Sequence, residues 1–134
     1  MSYTDKLEEA RELFAHDIYA SELTGAVIDE IGEDYAKCSL VLDDKHRNAY
    51  GGIMGGAIYT LADLAFAVAS NFDKEEATVS LSTSASFMSA SKGKVLYAEA
   101  RLIKNGRRNC FYEVRVTDDL GKDIAEILFT GAHL

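Results

Sequence analysis

Between Asn48 and Phe72 the chain carries a single side chain of the Asp, Glu, Lys or Arg type, Asp63. Around it stand Ile58, Tyr59, Leu61, Ala62, Leu64, Ala65, Phe66, Ala67 and Val68, so this stretch has almost no polar surface to offer water. An alanine-rich, proline-free segment of this kind forms a helix that must be covered by other elements. With 134 residues the chain is about one domain with one core. Its longest helical candidate runs from Gly55 or Gly56 to about Asn71, and its alanines admit close approach by neighbouring backbone. We therefore expect a central helix packed under a sheet. A carboxylate in such a helix is costly unless it is paired or has chemistry to perform. Directly upstream lies Asn48-Ala49-Tyr50-Gly51-Gly52-Ile53-Met54-Gly55-Gly56. A glycine-rich loop, a helix start and an isolated carboxylate together read as an active site.

The remainder supplies the cover. Thr4 to about His16 has the helical spacing of Leu7, Ala10, Leu13 and Phe14. Ala26–Ile31 and Tyr35–Leu42 read as strands joined by a tight turn at Gly32-Glu33-Asp34. Four longer strands follow, at about Ala77–Met88, Lys94–Lys104, Arg107–Thr117 and Asp123–Ala132. Asn105-Gly106 predicts a type I′ hairpin between the middle two, and Asp118-Asp119-Leu120-Gly121 a second turn. No proline, repeat or linker divides the chain. One long helix against a mostly antiparallel sheet of five to six strands is an α+β domain over residues 1–134, with 1–20 as N-terminal helix and lead-in.

Charge narrows the partners. A net charge of −8 argues against nucleic-acid binding, which depends on Lys and Arg neutralising phosphates. No segment has the roughly 20 apolar residues that a membrane span needs. The acidic start (Asp5, Glu8, Glu9, Glu12) is unlike a secretory leader, so a cytoplasmic location is expected, with Cys38 and Cys110 as free thiols. Neither they nor the histidines have metal-ligand spacing, and no metal or other cofactor is expected. Against the acidic whole, Lys92 to Arg108 holds six basic residues and one acid, Glu99. That is either a solvated hairpin face or a patch for a phosphate-bearing ligand.

Asn48-x-x-Gly51-x-x-Met54-Gly55-Gly56, followed by Leu61-Ala62-Asp63, resembles the signature of the hotdog-fold acyl-CoA thioesterases of the phenylacetyl-CoA thioesterase-like group. There the loop reads N-x-x-G-x-x-H-G-G, with an acidic residue in the helix that follows. Phe87-Met88-Ser89-Ala90-Ser91-Lys92-Gly93 is similar to that group's F-x-x-P-x-x-G turn, with Ala90 in place of proline. Ala98-Glu99-Ala100 and Asn105-Gly106-Arg107-Arg108 match its closing hairpin. The resemblance covers roughly residues 20 to 134. It departs at Met54, which stands where the group has histidine and which neither titrates nor donates a strong hydrogen bond. Tyr50 and His46 are the residues at hand to compensate.

The resemblance implies a hotdog fold and hydrolysis of acyl-CoA thioesters, with aryl or medium-chain acyl groups, in a pocket drawn from Ile53, Met54, Gly56, Tyr59 and Phe87. Coenzyme A enters as part of the substrate. The Gly55 N–H, at a helix start, is the expected oxyanion donor. Asp63 is the general base or the nucleophile, activated by an apolar setting. Asn48 would orient the water or the carbonyl, although an asparagine in a turn also has conformational uses. Ser80 aligns with a serine that supports the acid. Lys92, Arg107 and Arg108 lie on loops that border the nucleotide in the group and suit its phosphates.

Spacing adds a demand of its own. Eight residues separate Gly55 from Asp63, or ~12 Å along a helix at ~1.5 Å per residue. One thioester carbonyl cannot meet both from one helix, so two subunits must share each site. A homodimer with active sites at the interface follows, and the group often goes on to homotetramers. Two other readings compete: a non-catalytic acyl-CoA binder on the same fold, favoured by Met54, and a hotdog dehydratase or hydratase, which would want a histidine acid/base.

Overall fold

The computed structural model describes residues 3–134, and residues 1 and 2 of the expected domain lie outside the described residues. Helix α1 spans Tyr3–Phe14, β1 Val27–Gly32, β2 Tyr35–Val41, α2 Gly55–Asn71, β3 Thr78–Phe87, β4 Val95–Asn105, β5 Asn109–Asp118 and β6 Asp123–His133. The strands form one six-stranded sheet in the order β1-β2-β4-β5-β6-β3, every neighbouring pair antiparallel. It is the antiparallel sheet around a long central helix expected from the sequence.

Period-two alternation builds the inner face of that sheet. Ala36, Cys38 and Leu40 of β2 pair with Ala100, Ala98 and Leu96 of β4, and Ala98 and Ala100 pair in turn with Val116 and Val114 of β5. Val114 and Tyr112 then meet Ile127 and Phe129 of β6. All are buried. The small side chains at the middle of this face let α2 lie close, burying Ile58, Leu61, Ala62, Leu64, Ala65, Phe66, Val68 and Ala69. Phe66 anchors the contact. Its ring stacks on Phe129 at 4.5 Å and meets Tyr112 edge-on at 5.4 Å, geometries that add to plain burial.

β3 departs from this alternation. Like β1 it is an edge strand, paired only with β6, and of its ten residues Thr78 alone is buried. Val79, Leu81 and Phe87 are exposed there.

Element bounds follow the sequence to within two residues, with two corrections. The β4–β5 connection is not a two-residue I′ hairpin, which needs positive φ at both central residues. Neither Asn105 nor Gly106 has it. Asn105 instead pairs with Cys110, and β5 starts at Asn109 rather than at Arg107. A Cβ on Gly106 would stand 2.9 Å from the Asn109 carbonyl oxygen, so this glycine serves close approach rather than handedness. The second correction concerns 17–46, where the sequence shows neither the π-helical turn at Tyr19–Thr24 nor the 3-10 turn at Asp44–His46. The 3-10 turn is closed locally by a capping box between Asp43 and His46. The His46 ring then ties it to the end of the π-helical turn at the Thr24 carbonyl, a tertiary bond that no local pattern announces.

Candidate active site

Met54 caps α2 without a side-chain hydrogen bond. The first backbone bonds of the helix are Ala57 N–H and Ile58 N–H to the Met54 carbonyl, at 3.0 and 3.3 Å. The N–H groups of Gly55 and Gly56 are thus left to point out of the helix start, where the dipole is positive. A Cβ on Gly55 would lie 3.5 Å from the Phe87 ring, and one on Gly56 would meet nothing within 4 Å. The pair of glycines is open to a ligand, and Phe87 walls one side.

Asp63 lies two turns further along and is half-buried. It makes no hydrogen bond or ion pair with any described residue, so it is not tied to a basic partner or a hydroxyl. Burial first, and the nearby Asp17 charge second, hold its carboxyl above the usual aspartate range. Asp17, between α1 and the π-helical turn, carries no motif that the sequence could have flagged.

β3 runs antiparallel beside α2. Phe87 faces Gly55, the Tyr59 hydroxyl donates to Thr83 Oγ1 at 3.3 Å, and the Thr78 N–H donates to Asn71 Oδ1 at 2.7 Å. Ser80 sits between the last two levels, and its partner Gly131 lies against the Phe66 ring of α2. The bulge between Ser80 and Ser82 keeps Ser80, paired with Gly131, on the same α2-facing side as Thr83, paired with Phe129. No hydrogen bond joins Ser80 to Asp63 among the described residues.

Asn48 has a different occupation. Its Oδ1 accepts from the N–H groups of Tyr50 and Gly52 at 2.9 and 3.0 Å, and its own N–H donates to the Gly52 carbonyl at 2.8 Å. The asparagine oxygen therefore closes the loop, helped by Gly51 at φ 85°. Neither residue considered as a substitute for the histidine reaches the glycines. Tyr50 is 99% exposed, and both ring nitrogens of His46 are bound elsewhere, to Asp43 and Thr24.

The expected pocket residues do not gather in one place. Met54 borders a cleft of about 260 Å³ that includes Tyr19, Leu23, Gly56, Ala57 and Thr60. Tyr59 and Phe87 lie on the β3 side of the helix, and Ile53 packs against the core. The basic residues also separate. Lys92 precedes β4, whereas Arg107 and Arg108 follow it, and the 11 residues between set these groups ~30 Å apart at ~3.3 Å per residue. They do not make one patch within a subunit. None of the three forms an ion pair with a described residue, whereas Arg101 pairs with Glu99 and Arg115 with Glu113 and Glu126.

Cys38 and Cys110 are free and buried, with burial pushing both thiols up. Among the described residues no cluster of His, Cys, Asp and Glu could hold a metal ion, and no helix is long and apolar enough to cross a membrane.

Comparison with known proteins gives a consistent setting for this geometry. Residues 50–125 match the thioesterase superfamily. A protein of Archaeoglobus fulgidus named "Putative esterase" is 39% identical over 105 residues, covering 78% of this chain and 68% of the relative. The acyl-coenzyme A thioesterase PaaI of Escherichia coli is 27% identical over 124 residues, 92% of this chain and 86% of that protein. The structure of the E. coli PaaI protein from the phenylacetic acid degradation operon superposes with a TM-score of 0.88 at 20% identity, covering 99% and 96% of the two chains. Likeness over nearly the whole chain makes the hotdog fold the observed one.

Proposed function

The chain belongs to the thioesterase superfamily, and from that premise we propose that it hydrolyses acyl-CoA thioesters, with an aryl or medium-chain acyl group, at sites shared between two subunits. The observation that carries the reading is one helix with two unfinished features, the unpaired N–H groups of Gly55 and Gly56 and the unpartnered, half-buried Asp63. Relatives named as esterases and as an acyl-CoA thioesterase support the same chemistry.

In the reaction so proposed, the thioester oxygen accepts from the Gly55 N–H of one subunit. Asp63 of the second subunit takes a proton from water as the hydroxide adds to the carbonyl carbon. Negative charge collects on the oxygen facing the glycine amides, a contribution commonly worth a few kcal/mol. Collapse breaks the C–S bond, and the proton on Asp63 passes to the departing thiolate, leaving acid and CoA. If Asp63 attacks directly, a mixed anhydride forms with loss of the thiolate, and where water then attacks the Asp63 carbonyl, single turnover in 18O-water labels the Asp63 carboxylate.

Two features support the dimer. The ~12 Å between Gly55 and Asp63 on one straight helix requires a second copy. The open β3 edge also offers unpaired backbone groups and exposed apolar side chains. A two-fold axis at that edge would pair β3 with β3 in antiparallel fashion and run the two α2 helices past one another. The same assembly would give each site basic groups from two chains, which the ~30 Å span within one chain calls for. On this reading Asn48 shapes the loop, Ser80 lies beside the acid, and tetramers are pairs of such dimers.

Thiol release from a panel of short, medium-chain and aryl acyl-CoA substrates is the deciding measurement. A second reading, a binder without turnover, is favoured by Met54, since neither Tyr50 nor His46 replaces the histidine of the group there. Met54→His separates the two. A working enzyme keeps activity of the same order and changes its acyl preference. A silent wild type that binds acyl-CoA, and gains weak hydrolysis in Met54→His, would reject hydrolysis.

A further inference from the structure

Tyr19–Thr24 is wound as a π-helix, a rare geometry that appears mostly as single turns and frequently at functional sites. Here specific bonds hold it. The Ser21 hydroxyl donates to the Phe14 carbonyl at 2.7 Å, the Ala26 N–H to the Ala20 carbonyl at 2.9 Å, and Gly25 ends the turn at φ 88°. The turn displays Tyr19 and Leu23, 68% and 62% exposed, toward Met54, 53% exposed. Between them lies the cleft of about 260 Å³, whose other wall is the first two turns of α2. Three large apolar side chains are thus held open to solvent around a cavity that reaches Gly56, one residue from the proposed oxyanion donor.

His46 links the two walls. It is 4% exposed. Its Nδ1 accepts from the Asp43 N–H at 3.1 Å, which leaves the proton on Nε2 to donate to the Thr24 carbonyl at 2.7 Å. Its own carbonyl accepts from the Met54 N–H at 2.8 Å. One residue therefore fastens the end of the π-helical wall through its ring and the cap of α2 through its backbone. A shift of the ring changes the width of the cleft relative to the Gly55 amide.

We propose that this cleft receives the far end of the acyl group, with Leu23 and Met54 setting its reach, and that His46 is the positioning residue that keeps the cleft in register with the oxyanion donor. The inference rests on the acyl-CoA reading and deepens it. The occupant follows from continuity. A carbonyl held by the glycine amides has one apolar arm and one phosphate-bearing arm. The cleft has Tyr19, Leu23, Met54 and Ala57 as its apolar walls and Lys45, paired with Asp43, as its one charged lining residue. It suits the apolar arm, and its volume lies just below the ~300–1,000 Å³ of pockets for drug-sized ligands.

The test uses acyl-CoA substrates of increasing chain length together with their non-hydrolysable thioether analogues. In the wild type, kcat/KM and thioether affinity should both rise with chain length until the cleft is full. Leu23→Trp, which fills it, should flatten both profiles and cut the preference for the longest favoured chain over acetyl at least tenfold. His46→Asn keeps an acceptor for Asp43 but cannot reach Thr24. It should lose long-chain kcat/KM at least tenfold more than acetyl kcat/KM, chiefly through KM. His46→Gln places an N–H near the Nε2 position and should restore most of the profile. Equal losses at every chain length in folded His46→Asn protein would make His46 merely structural, and an unchanged profile in Leu23→Trp would place the acyl group elsewhere. Either result overturns the proposal. If the wild type cleaves no acyl-CoA, the hydrolase reading fails alone, and the thioether affinities of the same variants still decide the cleft.

Discussion

The two ends of α2 are finished differently. At the C-terminal end almost every polar group has a partner. Asn71 Nδ2 donates to the carbonyls of Ala67 and Thr78, at 3.1 and 3.0 Å, and its Oδ1 accepts the Thr78 N–H. The Ser70 hydroxyl donates to the Phe66 carbonyl at 2.7 Å, and Tyr112 OH reaches the Ala69 carbonyl. At the N-terminal end the cap supplies no side chain, and among the described residues two glycine amides go unpaired and the carboxylate two turns on has no partner. Buried polar groups are normally satisfied, so one end of this helix holds the fold together and the other is left open, as the proposed site would need. Changes at the open end should cost activity and spare the fold, and changes at the closed end should do the reverse.

The largest effect is expected from Asp63→Asn. The amide can neither take a proton nor attack, so kcat should fall by ~10²–10⁴, the range for a positioned base. Stability should move the opposite way. The folded state holds the Asp63 carboxyl above its usual range, so it binds the proton more tightly than the unfolded chain. The native state then loses stability as pH rises from ~3.9, the unfolded value, through the raised folded value, and stays lower above it. Asp63→Asn should therefore melt higher than wild type at pH 7, with the difference vanishing near pH 4. Near-normal kcat would make Asp63 structural, and a lower melting temperature at pH 7 would mean that the carboxylate has a partner after all.

Gly55→Val comes next. The added side chain presses on the Phe87 ring and on any oxygen at the amide, and loss of one oxyanion donor costs ~10²–10³ in kcat. Mixed with Asp63→Asn protein, it should form heterodimers holding one site with both defects and one with neither. Recovery of up to about half of the activity per heterodimer is expected. Verified heterodimers without recovery would put both groups in one chain and undo the shared site.

Much of this asymmetry can be read before any coordinates. Asp63 stands out because a charge in a run of Ala, Leu and Phe has no cheap structural explanation, and the strands show themselves by alternation. The N–H groups at the helix start follow from helix geometry alone. What sequence hides is contact across distance. Asn48 spends its oxygen on its own loop, a local use already open to an asparagine in a turn, and the strand between Lys92 and Arg107 already separates them. That the Asp17 charge acts on Asp63, however, is a fact of tertiary placement. The π-helical turn at Tyr19–Thr24 is hidden likewise, since Phe14, Gly25 and His46 hold it from outside the run.

The closed end supplies the opposite test. Asn71→Ala removes both bonds to Thr78 and leaves a buried N–H without a partner, which should cost about 2–3 kcal/mol and lower Tm by ~10 °C for a domain of this size. The kcat of the folded protein should stay within about twofold of wild type, because Asn71 lies two turns beyond Asp63. A loss of kcat larger than the loss of stability would show that the two ends are coupled.

The smallest expected effect bears on how the open end is tuned. Asp17 is exposed, so its charge acts on Asp63 partly through water and contributes less than burial does. Asp17→Asn removes a negative neighbour, and the Asp63 carboxyl then gives up its proton at a lower pH. A base must be ionised to work, so the acidic limb of kcat/KM should move toward lower pH while the plateau near neutrality is unchanged. Asp17→Glu keeps the charge and should leave the limb close to its original position. High salt should shift wild type in the direction of Asp17→Asn and barely affect the variant, since only the charge–charge part is screened. A limb that stays put in Asp17→Asn, or moves to higher pH, would leave burial alone as the cause and reduce Asp17 to a bystander between α1 and the π-helical turn.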